Sequence, residues 1–169
     1  IRSETGSILD LFGTIIDQTG GGSIVAATGG IVNVTSSSAS ILGGTLDTEG
    51  TGEIRVNGGG TATLDSVTSL GFLVVDPSGT VYVCGSGIIN DGLIMLNRNA
   101  STANSIVSFE ETGMLAGTGE LQMRTASDNS RLLSADGVVV TQAASHSIRG
   151  VGYVNAALVN NGLVAADVG

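Results

Sequence analysis

Five Gly-x-Gly tripeptides, each followed by a run of aliphatic residues, divide the 169-residue chain at near-constant intervals. They are Gly20 to Gly22, Gly50 to Gly52, Gly85 to Gly87, Gly117 to Gly119 and Gly150 to Gly152, with starts 30, 35, 32 and 33 residues apart. A period of this size marks a repeat architecture, in which no single unit can bury its apolar face and stacking neighbours supply the core.

The residues after each tripeptide keep the same register. The second residue past the closing glycine is Ile24, Ile54, Ile89, Leu121 and Val154, always aliphatic, whereas the one before it is Ser23, Glu53, Ile88, Glu120 and Tyr153. Such alternation predicts a strand with one buried face. A turn follows, written "TGG", "NGGG", "NDG", "TASDNS" or "NNG", and then a second strand: "IVNVT", "ATLD", "LIMLN", "LLSAD" and "LVAAD". These second strands end on Thr35, Asp65, Asn97, Asp136 and Asp167, short polar residues able to bond nearby backbone amides at a corner. Immediately inside them stand Val34, Leu64, Leu96, Ala135 and Ala166.

Two further strands complete each unit, as in "GFLVVD" with "GTVYV" or "SIVSFE" with "GMLA". The opening "GSILDL" and "GTIID" are the same pair, so the sequence reads as an array that opens on a third strand and closes after a second. The fold expected is all-β: a parallel β-helix, or β-solenoid, of about five coils with a ~33-residue repeat, forming one domain over residues 1–169. A five-bladed propeller is the rival. Blades have longer strands and periodic aromatics, and here aromatics are 3% of residues. On this reading Phe72 and Phe109 occupy equivalent third strands and stack in the core.

Composition narrows the function. Six Lys+Arg against fifteen Asp+Glu give a formal net charge of −9, and Arg2, Arg55, Arg98, Arg124, Arg131 and Arg149 fall at different phases of the repeat. That disfavours a nucleic-acid partner or a polyanion groove, which need concentrated positive charge. No apolar stretch reaches the ~18 residues of a membrane helix, so no membrane insertion is expected. The lone Cys84 excludes an internal disulfide and any multi-thiolate zinc site; it reads as a small buried hydrophobe. The chain begins at Ile1 with no basic-then-apolar leader, which reads as a processed or excised segment.

Little in the sequence carries catalytic chemistry. His146 is the only histidine, and in "AASHSIRG" it reads as a surface turn residue. Asp65, Asp136 and Asp167 would form an acidic row for glycoside chemistry if they stacked on one edge, but Thr35 and Asn97 in the same column favour a structural corner. Calcium-binding roll phrases are absent, and "TAT" at Thr61 to Thr63 is one rung of the threonine ladder an ice-binding face requires. The expectation is therefore no enzyme, with no catalytic, cofactor-binding or metal-ligating residues and no cofactor.

The stretches "GSGIINDGLIML" and "IRGVGYVNAALVNNGLVAAD" resemble phrases of right-handed parallel β-helices in bacterial surface and secreted proteins, nearest to filamentous-haemagglutinin-like adhesins and autotransporter passenger domains. The resemblance implies an extracellular, elongated module of a larger protein, adhesive or scaffolding, with no particular ligand. The function expected is a structural and interaction module: a rigid stalk, adhesin passenger or fibre subunit. Its partners would be further copies, stacked head to tail through the terminal coils, and possibly cell-surface glycans or proteins. A carbohydrate-active or carbohydrate-binding β-helix is the alternative, and it would be recognised by a coil face that gathers aromatics and acids together.

Overall fold

The computed structural model describes residues 1–35, 37–124 and 128–167, so Thr125 to Ser127 of the "TASDNS" turn lie outside the described residues. Within them the chain forms 21 strands, no helix, and only parallel pairings.

After β1 (Arg2–Ser3), the chain repeats a circuit of three faces. The first coil runs β2 (Ile8–Leu11), β3 (Ile15–Asp17), β4 (Ser23–Ala26), and the second β5 (Ile31–Val34), β6 (Ala39–Leu42), β7 (Thr45–Thr48). The third has β8 (Glu53–Val56) and the long β9 (Thr61–Ser69), and the fourth β10 (Phe72–Val75) and β11 (Thr80–Asn90). In these two coils one strand spans both the second and the third face. The fifth coil runs β12 (Leu93–Leu96), β13 (Ser105–Phe109), β14 (Gly113–Ala116), and the sixth β15 (Glu120–Arg124), β16 (Ser130–Ser134), β17 (Val139–Gln142). The seventh has β18 (Ser147–Val151), β19 (Tyr153–Asn155) and β20 (Ala157–Asn160), and β21 (Leu163–Ala165) starts another.

The first face is an eight-stranded sheet; the second and third are joined into a thirteen-stranded one through β9 and β11. Ser66 (φ 54°) marks the shared corner in β9. In β11 the same corner carries Gly85 and Gly87, with an irregularity in pairing between Cys84 and Ile88.

Alternation sends every second residue inward, and parallel register stacks these residues on one another. On the first face Leu9, Val32, Ile54, Leu73, Ile94, Leu121, Ile148 and Val164 form one column. Leu11, Val34, Val56, Val75, Leu96 and Met123 form the next. The second face adds Ile16, Ile41, Leu64, Val83 and Phe109. Most members of these columns are at most 3% exposed, and they belong to one continuous core.

The fold class agrees with the sequence; the number of coils does not. Successive partners on the first face lie 23, 22, 19, 21, 27, 27 and 16 residues apart, giving seven turns of unequal length in place of five of ~33. The reason is physical. A Gly-x-Gly serves any corner, and the five tripeptides precede the third, first, third, first and second face in turn. Their 30–35-residue spacing counts four or five strands of a three-strand circuit. The column built on it is accordingly mixed: Ile24, Ile54 and Leu121 are buried, but Ile89 is 48% and Val154 40% exposed. Ile88 takes the inward place because the irregularity at Cys84 shifts the alternation, and Val154 lies on the last rung of its face. Phe109 is buried on the second face while Phe72 is half-buried on the first, so they are not equivalent.

The true repeat is marked by one residue. Pairing on the first face places Gly30, Gly52, Gly71, Gly92, Gly119, His146 and Gly162 at the position immediately before its strand. A Cβ there would collide with backbone of the coil below: Ala26 O at Gly52, Gly71 O at Gly92 and Gly92 O at Gly119. Close approach rather than a left-handed φ demands glycine. Of the eight first-face strands six have it; Ser7 stands there before β2, on the first rung, and His146 before β18.

Candidate functional site

The residues singled out in the sequence do not assemble. Asp65 lies in β9 beside Cys84 of β11, and Asp136 follows β16, both at the corner between the second and third faces. Asp167 follows β21 at a different corner and accepts a bond from Arg149 Nη1 (2.9 Å). Thr35 and Asn97 follow first-face strands, and Asn97 is buried, closing its own loop by donating to Ser101 O (2.8 Å) and Ala103 O (3.0 Å). The acids thus form no single row. Among the described residues no group of three or more His, Cys, Asp or Glu side chains could hold a metal ion.

The outside of the second face gathers an aromatic residue with acids. Tyr82, 38% exposed, lines a shallow depression of about 330 Å³ with Thr63, Cys84 and Glu110. Ser108 donates to Glu110 Oε1 (2.7 Å), and Glu111 Oε2 accepts from Gly85 N (2.9 Å). Cys84 is half-buried rather than buried. Burial, with the negative charges of Glu111, Asp65 and Glu110, pushes its thiol above the usual value, which keeps it protonated and a poor nucleophile. Further up the same face, the Arg131 guanidinium of the sixth coil lies 5.8 Å from the centroid of the Tyr153 ring of the seventh.

On the outside of the first face, four charged residues from three coils form a half-buried network. Glu53 pairs with Arg55, and with Arg98 Nη1 at 2.8 Å. Asp76 meets Arg98 Nε at 3.2 Å and Arg55 Nε at 3.6 Å. Burial works to raise the Glu53 carboxyl, but the bonds from Arg55 and Arg98 outweigh it and hold it below the ordinary carboxylate range. Arg2, Arg131 and Arg149 are also ion-paired, so at least five of the six arginines are already matched to acids. Little cationic surface is left for a polyanion.

A buried polar cluster lies at the corner between the third and first faces, and the sequence reading missed it. His146 is 1% exposed, not a surface turn residue; Asn90 and Gln142 are fully buried. Asn90 Nδ2 donates to Glu120 O (3.1 Å), which fixes the direction of its amide, and lies 3.1 Å from His146 Nε2. The facing ring nitrogen is therefore the acceptor and the ring proton sits on Nδ1. Gln142 Nε2 donates to His146 O (2.9 Å) and Leu163 O (3.1 Å). Asn90 Oδ1, His146 Nδ1 and Gln142 Oε1 have no hydrogen-bond partner. Burial lowers His146 to a pKa of about 4, so the ring is neutral at pH 7.

Compared with protein-family models, curated proteins and solved structures, the chain matches none. Its function must be argued from its own residues.

The signal for the cluster was present in the sequence. "GGIVNV", "TGEIRV", "LGFLVV", "DGLIML", "TGELQM" and "NGLVAA" share a glycine one residue before an alternating strand, and "SHSIRG" has histidine in that place. Aligning on single glycines instead of Gly-x-Gly pairs leaves two exceptions, Ser7 on the first rung and His146 within the stack.

Proposed function

We propose that the chain is a structural module: a rigid, acidic solenoid segment of an extracellular surface or secreted protein, of the adhesin-passenger or stalk kind, without enzymatic activity. The observation that carries this reading is the pairing at the two ends. β1, β2 and β3 are each paired on one side only, as are β19, β20 and β21, so both end coils offer parallel edges to a further coil. Open edges of this kind recruit strands. The next coil can come from the same polypeptide or from another copy. The remaining surface fits a supporting role, since at least five of its six arginines are ion-paired and its inward residues only stack.

Electron microscopy of the purified protein with sedimentation across concentration tests the stacking. Filaments whose axial repeat is ~4.8 Å are expected; a monodisperse monomer at high concentration would remove self-association from the reading.

The depression at Tyr82 favours a second reading, a glycan-binding solenoid. An exposed tyrosine ring offers an apolar platform to a sugar, and Thr63 and Glu110 beside it offer hydrogen bonds to hydroxyls. Glycan-array binding that is lost in both Tyr82→Ala and Glu110→Gln would support this reading, and binding that survives both would exclude this face.

A further inference from the structure

The position before each first-face strand lies close against the coil below, and glycine fills it six times. At His146 a titratable ring occupies it, with its edge on Asn90 of β11 and its carbonyl held by Gln142 of β17 and by Leu163 N (3.2 Å) of β21. One residue thus ties the fourth coil to the sixth and to the strand above the seventh. The space beside it is maintained by further glycines. A Cβ on Gly119 would come within 2.9 Å of Asn90 Nδ2, and one on Gly162 within 2.8 Å of Gln142 Nε2.

This arrangement accommodates only a neutral ring. A second ring proton would sit on Nε2, against the Asn90 NH₂ group. Turning the Asn90 amide to present Oδ1 would set Nδ2 away from Glu120 O and bring one acceptor against another. No charge nearby offsets an imidazolium. On β11 and the residue after it, Tyr82 and Cys84 lie on the second-face half, beyond the corner at Gly85 to Gly87, and Asp91 accepts at the surface from Thr118. On β15, Glu120 alternates with buried Leu121 and faces out to Arg149, and Arg124 is exposed. On β18, Arg149 alternates with buried Ile148 and pairs with Glu120 and Asp167. β17 and β21 carry no ionisable side chain.

We propose that the buried Asn90–His146–Gln142 cluster is an acid-operated latch: proton uptake by His146 opens the stack where β17, β18 and β21 meet, while the earlier coils stay closed. The opening can be local because main-chain pairing joins each coil only to the next, and His146 reaches Asn90 past that pairing by a side-chain contact alone. His146 is the only histidine, so no other side chain with an ordinary value between the carboxylates and neutrality shares the response.

The test is hydrogen exchange followed by mass spectrometry between pH 7.5 and pH 5, corrected for intrinsic rates, together with proton NMR of the single imidazole. With a folded value of about 4 against ~6.5 when opened, the opening equilibrium for residues 139–165 should rise roughly thirtyfold at pH 5, and that for residues 53–83, which hold no member of the cluster, should not change. His146→Gly, which installs the residue of six other rungs, should flatten the response. Equal protection at both pH values, a response spread evenly over all coils, or one that persists in His146→Gly would overturn the latch. Should that variant fail to fold, the wild-type resonance decides alone: a midpoint near 6.5 refutes the latch and one below about 5 supports it.

Discussion

At the scale of single residues, the corner before the first face leaves no room for a side-chain atom at most of its rungs. Gly92 sits against Gly71 O, which is main chain and cannot rotate away. Gly92→Ala is therefore expected to destabilise by about 2–4 kcal/mol through forced displacement of the coil below, measured by denaturant unfolding. Gly59 leaves a Cβ free of contact but has a φ of +79°, so Gly59→Ala should cost only ~1 kcal/mol, from backbone strain alone. The ionisable residues give the pH dependence a definite sign. His146 has a folded value below its unfolded one, so the unfolded state binds the proton more tightly and stability falls as pH drops from ~6.5 to about 4. The whole effect is roughly 3 kcal/mol. Glu53 acts in the same direction but lower, its contribution present above its unfolded value and lost as acid protonates it through its depressed folded value. Stability measured against pH should therefore be flat above ~6.5, decline by one proton's slope to about 4.5, and steepen below; His146→Gly should remove the first limb only.

Strands contribute according to whether coils lie on both sides of them. Leu121 has Ile94 below and Ile148 above, and its truncation to alanine should cost about 2–5 kcal/mol. Val164, in the same column on the last rung, is 45% exposed, and Val164→Ala should cost less than ~1 kcal/mol. Comparing the two midpoints by chemical denaturation separates column membership from burial. The same column explains what the sequence makes legible. Alternation within "EIRV" or "LIML" reports a half-buried strand directly, because side-chain direction is local. The coil length is not local. It depends on which strand meets which, and loops stretch that distance from 16 to 27 residues. The Gly-x-Gly rule failed for this reason, since glycine at a corner tells of a close approach without saying which face follows. His146 was misread for the complementary reason: polar residues in a turn are ordinarily solvated, and only the stacking of coils above and below encloses this one.

For the whole molecule, eight rungs on the first face separated by seven steps give a stack ~34 Å long. Its stability is a sum of coil and neighbour terms, so unfolding should depart from a single two-state transition, with the β19–β21 end losing protection before β8–β12 in hydrogen exchange at pH 7.5. Coincident exchange of the two segments would show a cooperative unit instead.

The uniformity of the first-face columns carries a final consequence. Valine, leucine and isoleucine lie over one another from Val32 to Ile148, so sliding the upper coils by one rung would still set aliphatic against aliphatic and leave the core nearly indifferent. Such a slip could not keep His146 on Asn90, nor Gln142 beneath Leu163. The polar cluster is thus a fiducial mark in an otherwise repetitive lattice, recording which coil belongs on which.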